Sequence, residues 1–183
     1  HPWNYNRADY DRCNSVFVMK FHFHGKSAHG AYPWEGRSAL DAGMLFGMSL
    51  EMLREHVKPN GPDAASTINY TFQDCGPSFA NVVPDVTTVQ LYGRFADLET
   101  SQDAFERIQS CAKGAALATG TTTDYELITY THPKIPNKTL AEVVHRNMEH
   151  YGAPSFTQEE QAFVKEMQAY MGVYPTALLE WFK

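Results

Sequence analysis

Cysteine is scarce in this sequence. The 183 residues contain three cysteines, which are too few and too scattered for a disulfide framework. Cys13, Cys75 and Cys111 also form no C-x-x-C pair of the kind that holds structural zinc. We therefore interpret them as buried free thiols, which are typical of a reducing compartment, and we expect a cytoplasmic protein.

Basic charge and long apolar runs are lacking as well. Lys and Arg number 15 against 21 Asp and Glu, which gives a net charge of −6. This balance argues against a nucleic-acid partner, because nucleic-acid-binding domains usually carry a basic face. No stretch reaches the roughly 18 apolar residues that indicate a membrane-spanning helix, so we expect no membrane partner either. No signal peptide is recognisable.

What the sequence does contain is an alternation of strand and helix patterns. Period-2 patterns predict strands over 16–24, 67–73, 86–95 and 124–131. Helical periodicity predicts helices over 38–57 and 101–119. The order β-α-β-β-α-β predicts an α+β fold of the ferredoxin-like type, in which a four-stranded antiparallel sheet carries two helices on one face.

Apolar stripes and caps refine the predicted helices. The first helix has an apolar stripe at helical spacing, which we expect to face the core: Leu40, Met44, Leu45, Met48 and Met52. Ser38 with Asp41 predicts its N-cap, and Thr100 with Asp103 predicts the cap of the second helix, which should stop at Gly120. After residue 133, "PNKTLAEVVHRNMEHYG" and "TQEEQAFVKEMQAYMG" predict two extra amphipathic helices, each with a Thr cap.

The stretch "FHFHGKSAHGAYPWEGRSALDA" concentrates the chemistry-bearing residues. His22 and His24 share one strand face and could ligate zinc, but no Asp, Glu or Cys nearby completes a ligand set, so a solvated polar face is favoured. Gly25-Lys26-Ser27 is not a phosphate-binding loop. That motif needs a glycine at position 20, which is lysine, and a helix that starts at once.

Three further residues are candidates for contact with a ligand. His29 lies in a glycine-flanked loop, where it could donate to an oxyanion or simply cap a turn; its position alone leaves both open. Asn81 could orient a carbonyl group or serve ordinary turn chemistry. Arg94 falls on the exposed face of a strand, where it could clamp a carboxylate or form a surface ion pair.

The stretches "FHGKSAHGAYPWEGRSALDA", "LREHV", "NVVPD" and "PNKTLAEVV" resemble the lid, or dimerisation, domain of the dinuclear-metal amidohydrolases. This family contains aminoacylases, carboxypeptidases and indole-acetyl-amino-acid hydrolases. The resemblance covers most of residues 1–170. It implies a ferredoxin-like lid inserted into a catalytic domain, homodimerisation through the lid, and hydrolysis of an amide by metal-activated water.

The resemblance also implies roles for individual residues. His29 matches the lid histidine that stabilises the oxyanion, sometimes in the active site of the partner subunit. Asn81 matches the asparagine of an N-x-x-P stretch, and Arg94 matches an arginine that binds a substrate carboxylate. His1, in "HP", resembles a metal ligand at the junction with the catalytic domain, although a stray first residue is an equal alternative.

The resemblance implies that the chain has three parts and that the catalytic domain lies outside it. Residues 1–15 would be a junction from a catalytic domain, 16–132 the lid, and 133–183 a helical segment leading back. The chain has no initiator Met, and the family's remaining metal ligands and its glutamate base are absent. We therefore expect an excised part that binds no metal and is inactive alone, while the full-length enzyme would use zinc, manganese or cobalt.

Two functions remain open at this point. The chain is either the lid of a metal-dependent amidohydrolase acting on a small amide that carries a carboxylate, or a stand-alone ferredoxin-like interaction module. Asp-x-His and Glu-Glu segments encoded upstream would favour the enzyme.

Overall fold

The computed structural model of the chain describes residue 8 and residues 13–59, 66–152 and 155–172. The fold divides into two compact units, of which the larger is Arg12–Lys134. The C-terminal helices belong to the other unit. None of the helices in the described ranges is long and apolar enough to cross a membrane.

The larger unit has the predicted ferredoxin-like plan. Its strands are β1 (Ser15–His24), β2 (Ala28–His29), β3 (Thr67–Asp74), β4 (Val82–Val83), β5 (Val86–Phe95) and β6 (Thr122–Thr131). Its helices are α1 (Ala39–Arg54) and α2 (Leu98–Thr119). The four long strands form one antiparallel sheet in the order β3-β5-β1-β6, which confirms the predicted fold class.

One face of the sheet forms the core, because apolar residues alternate with polar ones along each strand. Phe17, Met19, Phe21 and Phe23 of β1 are buried, as are Val89, Leu91 and Phe95 of β5. The two helices cover this face, with α1 packed on β3 and β5 and α2 reaching β6. The polar side chains of β1, among them Lys20, His22 and His24, point to the opposite face, as the alternation predicts.

The predicted core face of α1 is wrong for its three methionines, whereas Leu45 packs against the core as predicted. Met44, Met48 and Met52 are more than half exposed. The buried face of the helix combines small residues with one phenylalanine and two leucines: Ala39, Ala42, Gly43, Phe46, Gly47, Leu50 and Leu53. Glycine determines which face of α1 packs on the sheet, since a Cβ at Gly47 would lie 3.0 Å from the Tyr70 hydroxyl. The small face therefore lets the helix backbone approach the sheet, and Phe46 fills the space against Phe21 at 4.8 Å between ring centroids.

The helix ends test the cap predictions. Ser38 caps α1 by accepting from the Asp41 N–H at 3.1 Å, and Gly120 ends α2 with φ 66, so both predictions are confirmed. The predicted Thr100–Asp103 cap is wrong, because Asp97 has the extended backbone of a cap and accepts from the Thr100 N–H at 2.7 Å. This bond holds the pKa of the Asp97 carboxyl below its usual value.

The C-terminal unit contains α3 (Lys138–Tyr151) and α4 (Gln158–Tyr170). Thr157 caps α4, as predicted, and the structure shows that the cap is a capping box with Glu160. The cap of α3 is Asn137 rather than the predicted threonine, since the Asn137 side chain accepts from the Leu140 N–H at 2.9 Å. Because the cap is Asn137, α3 begins at Lys138, one residue before Thr139.

The predicted burial of the cysteines is correct only in part. Cys111 on α2 is half-buried, and desolvation raises the pKa of its thiol. Cys13 and Cys75 are exposed, because they precede β1 and follow β3, outside the two packed layers.

Candidate functional site

A short two-stranded ladder holds the loop that follows β1. Strand β2 pairs antiparallel with β4, so that Ala28 lies opposite Val83 and His29 lies opposite Val82. The Gly30 N–H extends the ladder by donating to the Asn81 carbonyl at 2.7 Å. At the base of the loop, Lys26 and Arg37 form an antiparallel bridge. The loop is therefore a braced hairpin-like structure rather than an irregular connection.

The ladder brings His29 and Asn81 into contact. Although 52 positions separate them in the sequence, Asn81 Nδ2 lies 3.1 Å from His29 Nε2. On the other side of the imidazole, His29 Nδ1 accepts from the Ala31 N–H at 3.1 Å. Both side chains are exposed. An imidazole held from two sides and open to solvent has the properties of a positioned donor at a surface.

Exposed aromatic rings continue this surface. The Tyr32 ring lies 6.2 Å from the His29 ring, and Trp34 contacts Tyr32 edge to face at 5.6 Å. Tyr32 is 54% exposed and Trp34 69%. Large aromatic side chains left open beside a positioned histidine are typical of a surface that meets another protein surface or a ligand.

Arg94 lies at the opposite end of the sheet. His24, where the loop begins, pairs with Val86 at the start of β5, whereas Arg94 near its end pairs with Val16. From Val86 to Arg94 the strand rises about 26 Å. The Arg94 guanidinium stacks on the Tyr92 ring at 5.1 Å, and no carboxylate of the described residues pairs with it. One copy of the chain thus keeps Arg94 apart from the His29–Asn81 pair.

The other histidines offer no metal site within the described part of the chain. His24 Nε2 contacts Asp124 Oδ2 at 2.7 Å, and His22 Nδ1 contacts the Thr88 hydroxyl at 3.1 Å. No group of three His, Cys, Asp or Glu side chains suited to a metal ion occurs among the described residues. These residues therefore do not fit the metal centre that the family resemblance implies. His1 lies outside the described residues.

Comparison with known proteins identifies the family. The peptidase dimerisation domain matches residues 15–119, and the chain belongs to this family. It is 32% identical over 170 residues to a p-aminobenzoyl-glutamate hydrolase component of Escherichia coli, which covers 92% of the chain and 34% of that protein. It is also 32% identical over 139 residues to Xaa-Arg dipeptidase of Mus musculus, covering 75% of the chain and 31% of that protein.

A solved structure has the same fold. An aminobenzoyl-glutamate utilization protein from Klebsiella pneumoniae superimposes with a TM-score of 0.65 at 20% identity, over 88% of this chain and 42% of that one. The predicted resemblance to the hydrolase lid domains is confirmed, including the aminobenzoyl-glutamate branch that the lid motifs also predict. The chain spans about a third of the length of the curated relatives named above.

Sequence reasoning missed two features of this region. The β2–β4 ladder is only two residues long on each side, too short for a period-2 pattern. The pair Val82-Val83, just before Pro84, is the signal that could have indicated it, since β-branched residues favour strands. The second missed feature is the exposure of the methionines on α1. The sequence shows that they form a stripe, but not that the stripe faces away from the core.

Proposed function

We propose that this chain is the lid domain of a metal-dependent amidohydrolase that cleaves a small amide bearing a carboxylate. The observation that carries the proposal is the 3.1 Å contact of His29 with Asn81 on a braced, exposed loop. The names of the relatives support the substrate class, since p-aminobenzoyl-glutamate and an Xaa-Arg dipeptide are both amides with a free carboxylate. A cytoplasmic location is part of the proposal.

In this proposal each residue has a chemical task. The imidazole of His29 donates a hydrogen bond to the oxygen of the scissile carbonyl as negative charge develops there. Asn81 lies beside it and orients the carbonyl group. The guanidinium of Arg94 binds the substrate carboxylate through two parallel hydrogen bonds, for which its planar fork is suited.

The divalent metal belongs to the rest of the enzyme. Its ligands and the catalytic base would lie in a catalytic domain outside residues 16–132, with the junction 1–15 contributing His1 at most and 133–183 leading back. Zinc, manganese and cobalt each suit a mixed histidine and carboxylate site. In this proposal the tasks of the lid are substrate contact and dimerisation.

The distance between Arg94 and His29 calls for two copies of the lid. A small substrate cannot reach across the length of β5 within one subunit. We propose that two lids pair antiparallel, related by a two-fold axis perpendicular to the sheet. Such an axis turns one lid end for end, so that Arg94 of one subunit lies at the same end as the His29–Asn81 pair of the partner subunit.

The edge strand β3 is suited to this pairing. Strand β3, "TINYTFQD", lies at one edge of the sheet and contains neither proline nor lysine, the residues that commonly protect an edge. The opposite edge strand β6 carries Asp124 and Glu126, whose carboxylates would lie close to like charges in a symmetric pair centred near Tyr125. Pairing through β3 would put β5 of one lid three strand spacings from β5 of its partner, about 14 Å.

The exposed methionines of α1 extend the same surface. Because α1 packs on β3 and β5, the helix lies near the β3 edge, and Arg54 of α1 stacks on Tyr70 of β3. A two-fold axis there brings the two α1 helices together on one face of the continuous sheet. Met44 and Met48 would then lie close to their counterparts, and methionine adapts well to such surfaces. Met52 instead lines a pocket between α1 and α2.

A charge on α1 should therefore break the proposed dimer. We expect Met48→Glu to shift full-length protein from dimer to monomer in sedimentation velocity, because the carboxylates would face each other across the axis. Leu117→Glu is the matched control, since Leu117 is 84% exposed on α2, away from β3. A dimer that tolerates Met48→Glu as well as Leu117→Glu would contradict the assignment of this surface.

Hydrolysis by the full-length protein tests the proposed activity. We expect it to release the amine from N-acyl amino acids, p-aminobenzoyl-glutamate or dipeptides, and to lose this activity with a chelator and regain it with added metal. The 183-residue chain alone should neither hydrolyse these amides nor retain a stoichiometric metal ion. Chelator-sensitive hydrolysis by the chain alone would refute the proposal that the lid is inactive by itself, and a full-length protein inert toward the whole panel would favour an interaction module.

A further inference from the structure

The imidazole of His29 meets a nitrogen donor on each side. Nδ1 accepts from the Ala31 N–H at 3.1 Å, and a backbone N–H can only donate. Nδ1 is therefore the bare nitrogen of the neutral ring, and Nε2 carries the proton. Facing Nε2, the Asn81 carboxamide lies at 3.1 Å.

Only the oxygen end of that carboxamide can accept a hydrogen bond from His29 Nε2–H. An NH₂ group directed at Nε2–H would bring two donors together, whereas the carboxamide oxygen accepts. The two ends have the same shape, so the hydrogen-bond network decides which end faces the imidazole. With Nδ1 bare, the network requires the Asn81 oxygen to face Nε2–H.

We propose that Asn81 is a positioning residue whose carboxamide oxygen accepts from His29 Nε2–H and, together with the Ala31 N–H at Nδ1, holds the donor proton on that nitrogen. The inference rests on the proposed function and deepens it, because it assigns the donating atom. Asn81 then acts through His29 before substrate arrives. When an oxyanion forms, it takes the place of the carboxamide oxygen, and the ring needs no change of tautomer.

Gly30 makes room for this contact. A Cβ built on Gly30 would lie 2.5 Å from the end of the Asn81 carboxamide and 3.1 Å from Asn81 Cα. The Gly30 N–H also donates to the Asn81 carbonyl at 2.7 Å, which fixes the distance between the two backbones. The carboxamide is therefore seated between the His29 ring and a glycine. A side chain at position 30 would push it away.

The tautomer can be read directly by nitrogen NMR. We would label the eight histidines with ¹⁵N in the 183-residue chain, assign His29 with His29→Gln, and record long-range ¹⁵N–¹H spectra at alkaline pH, where imidazole is neutral. The wild type should show a protonated Nε2 and a bare Nδ1. A dominant Nδ1–H tautomer would overturn the proposal.

Variants test whether Asn81 fixes the ring. Asn81→Leu removes one of the two contacts that favour the Nε2–H tautomer, at nearly constant shape, and leaves only the Ala31 N–H at Nδ1, so the two ¹⁵N shifts should move part of the way toward averaged values. Asn81→Asp keeps an acceptor oxygen and should restore the wild-type pattern. Gly30→Ala should reproduce the effect of Asn81→Leu by displacement alone. His24, which has its own partner in Asp124, provides an internal control in every spectrum.

The outcomes separate this inference from the proposed function. Unchanged His29 shifts in Asn81→Leu, with His24 also unchanged, would show that Asn81 does not position the ring, whatever the enzyme hydrolyses. Averaged shifts in Asn81→Leu that Asn81→Asp fails to restore would also contradict the proposal. A protein with no hydrolase activity but the expected NMR pattern would refute the proposed function and leave the contact in place.

Discussion

Replacing His29 with alanine in the full-length enzyme is expected to lower the turnover number by about a hundredfold, the usual loss for one oxyanion donor. The interaction strengthens as negative charge develops on the carbonyl oxygen, so the loss should fall on kcat more than on KM. The measurement is steady-state hydrolysis of whichever amide the panel identifies. Metal content and folding should hardly change, because the proposed function places the metal ligands outside the dimerisation domain that contains His29.

His24→Ala is the matched control for this experiment. His24 is another exposed histidine close in the sequence, but its ring contacts Asp124 on β6 instead of the β2–β4 ladder. We expect near-normal turnover from His24→Ala. Near-normal turnover from His29→Ala as well would show that the braced loop histidine only caps its turn.

Two impaired subunits are expected to restore one intact active site in a mixed dimer, with activity measured at substrate concentrations well below KM. Arg94→Ala should raise KM by at least about tenfold, because it removes a charged clamp on the substrate carboxylate. A dimer of one His29→Ala subunit and one Arg94→Ala subunit contains one active site with both residues intact and one with neither. Purified through two different tags after co-expression, this heterodimer should show about half the wild-type activity per dimer.

The reciprocal arrangement is the control. Placing His29→Ala and Arg94→Ala on the same subunit, paired with a wild-type subunit, damages both sites if each site draws on two lids. If each site used a single lid, the results would be reversed: the doubly substituted heterodimer would keep half the activity and the first heterodimer almost none. This reversed result would contradict the shared site and the antiparallel pairing through β3.

Most of the fold could be predicted from the sequence, because a long amphipathic strand or helix shows a regular spacing of apolar residues that identifies its type. The alternation over 16–24 and 86–95 identifies β1 and β5 almost residue for residue. Element ends are harder to predict, since a cap depends on the backbone conformation of one residue. For α2, Asp97 rather than Thr100 adopts the extended conformation, and the helix begins three residues earlier than predicted.

The face of α1 shows why periodicity alone misleads. The methionine stripe has the same helical period as the buried face, so the period by itself does not distinguish the two. The side of α1 that is buried is the one that carries Gly43, Phe46 and Gly47, and it packs against the sheet. A tertiary contact decided this, because close packing requires small residues opposite Tyr70 and Phe72.

By itself, the sequence determined the ferredoxin-like plan, the family resemblance and the identity of His29, Asn81 and Arg94 as candidates, since these follow from local period and motif. Only the tertiary structure decided which of them meet. The β2–β4 ladder joins His29 to Asn81 across 52 positions, while the antiparallel register carries Arg94 to the far end of the sheet. Such distances are set by strand pairing over long sequence separations, which no local pattern encodes.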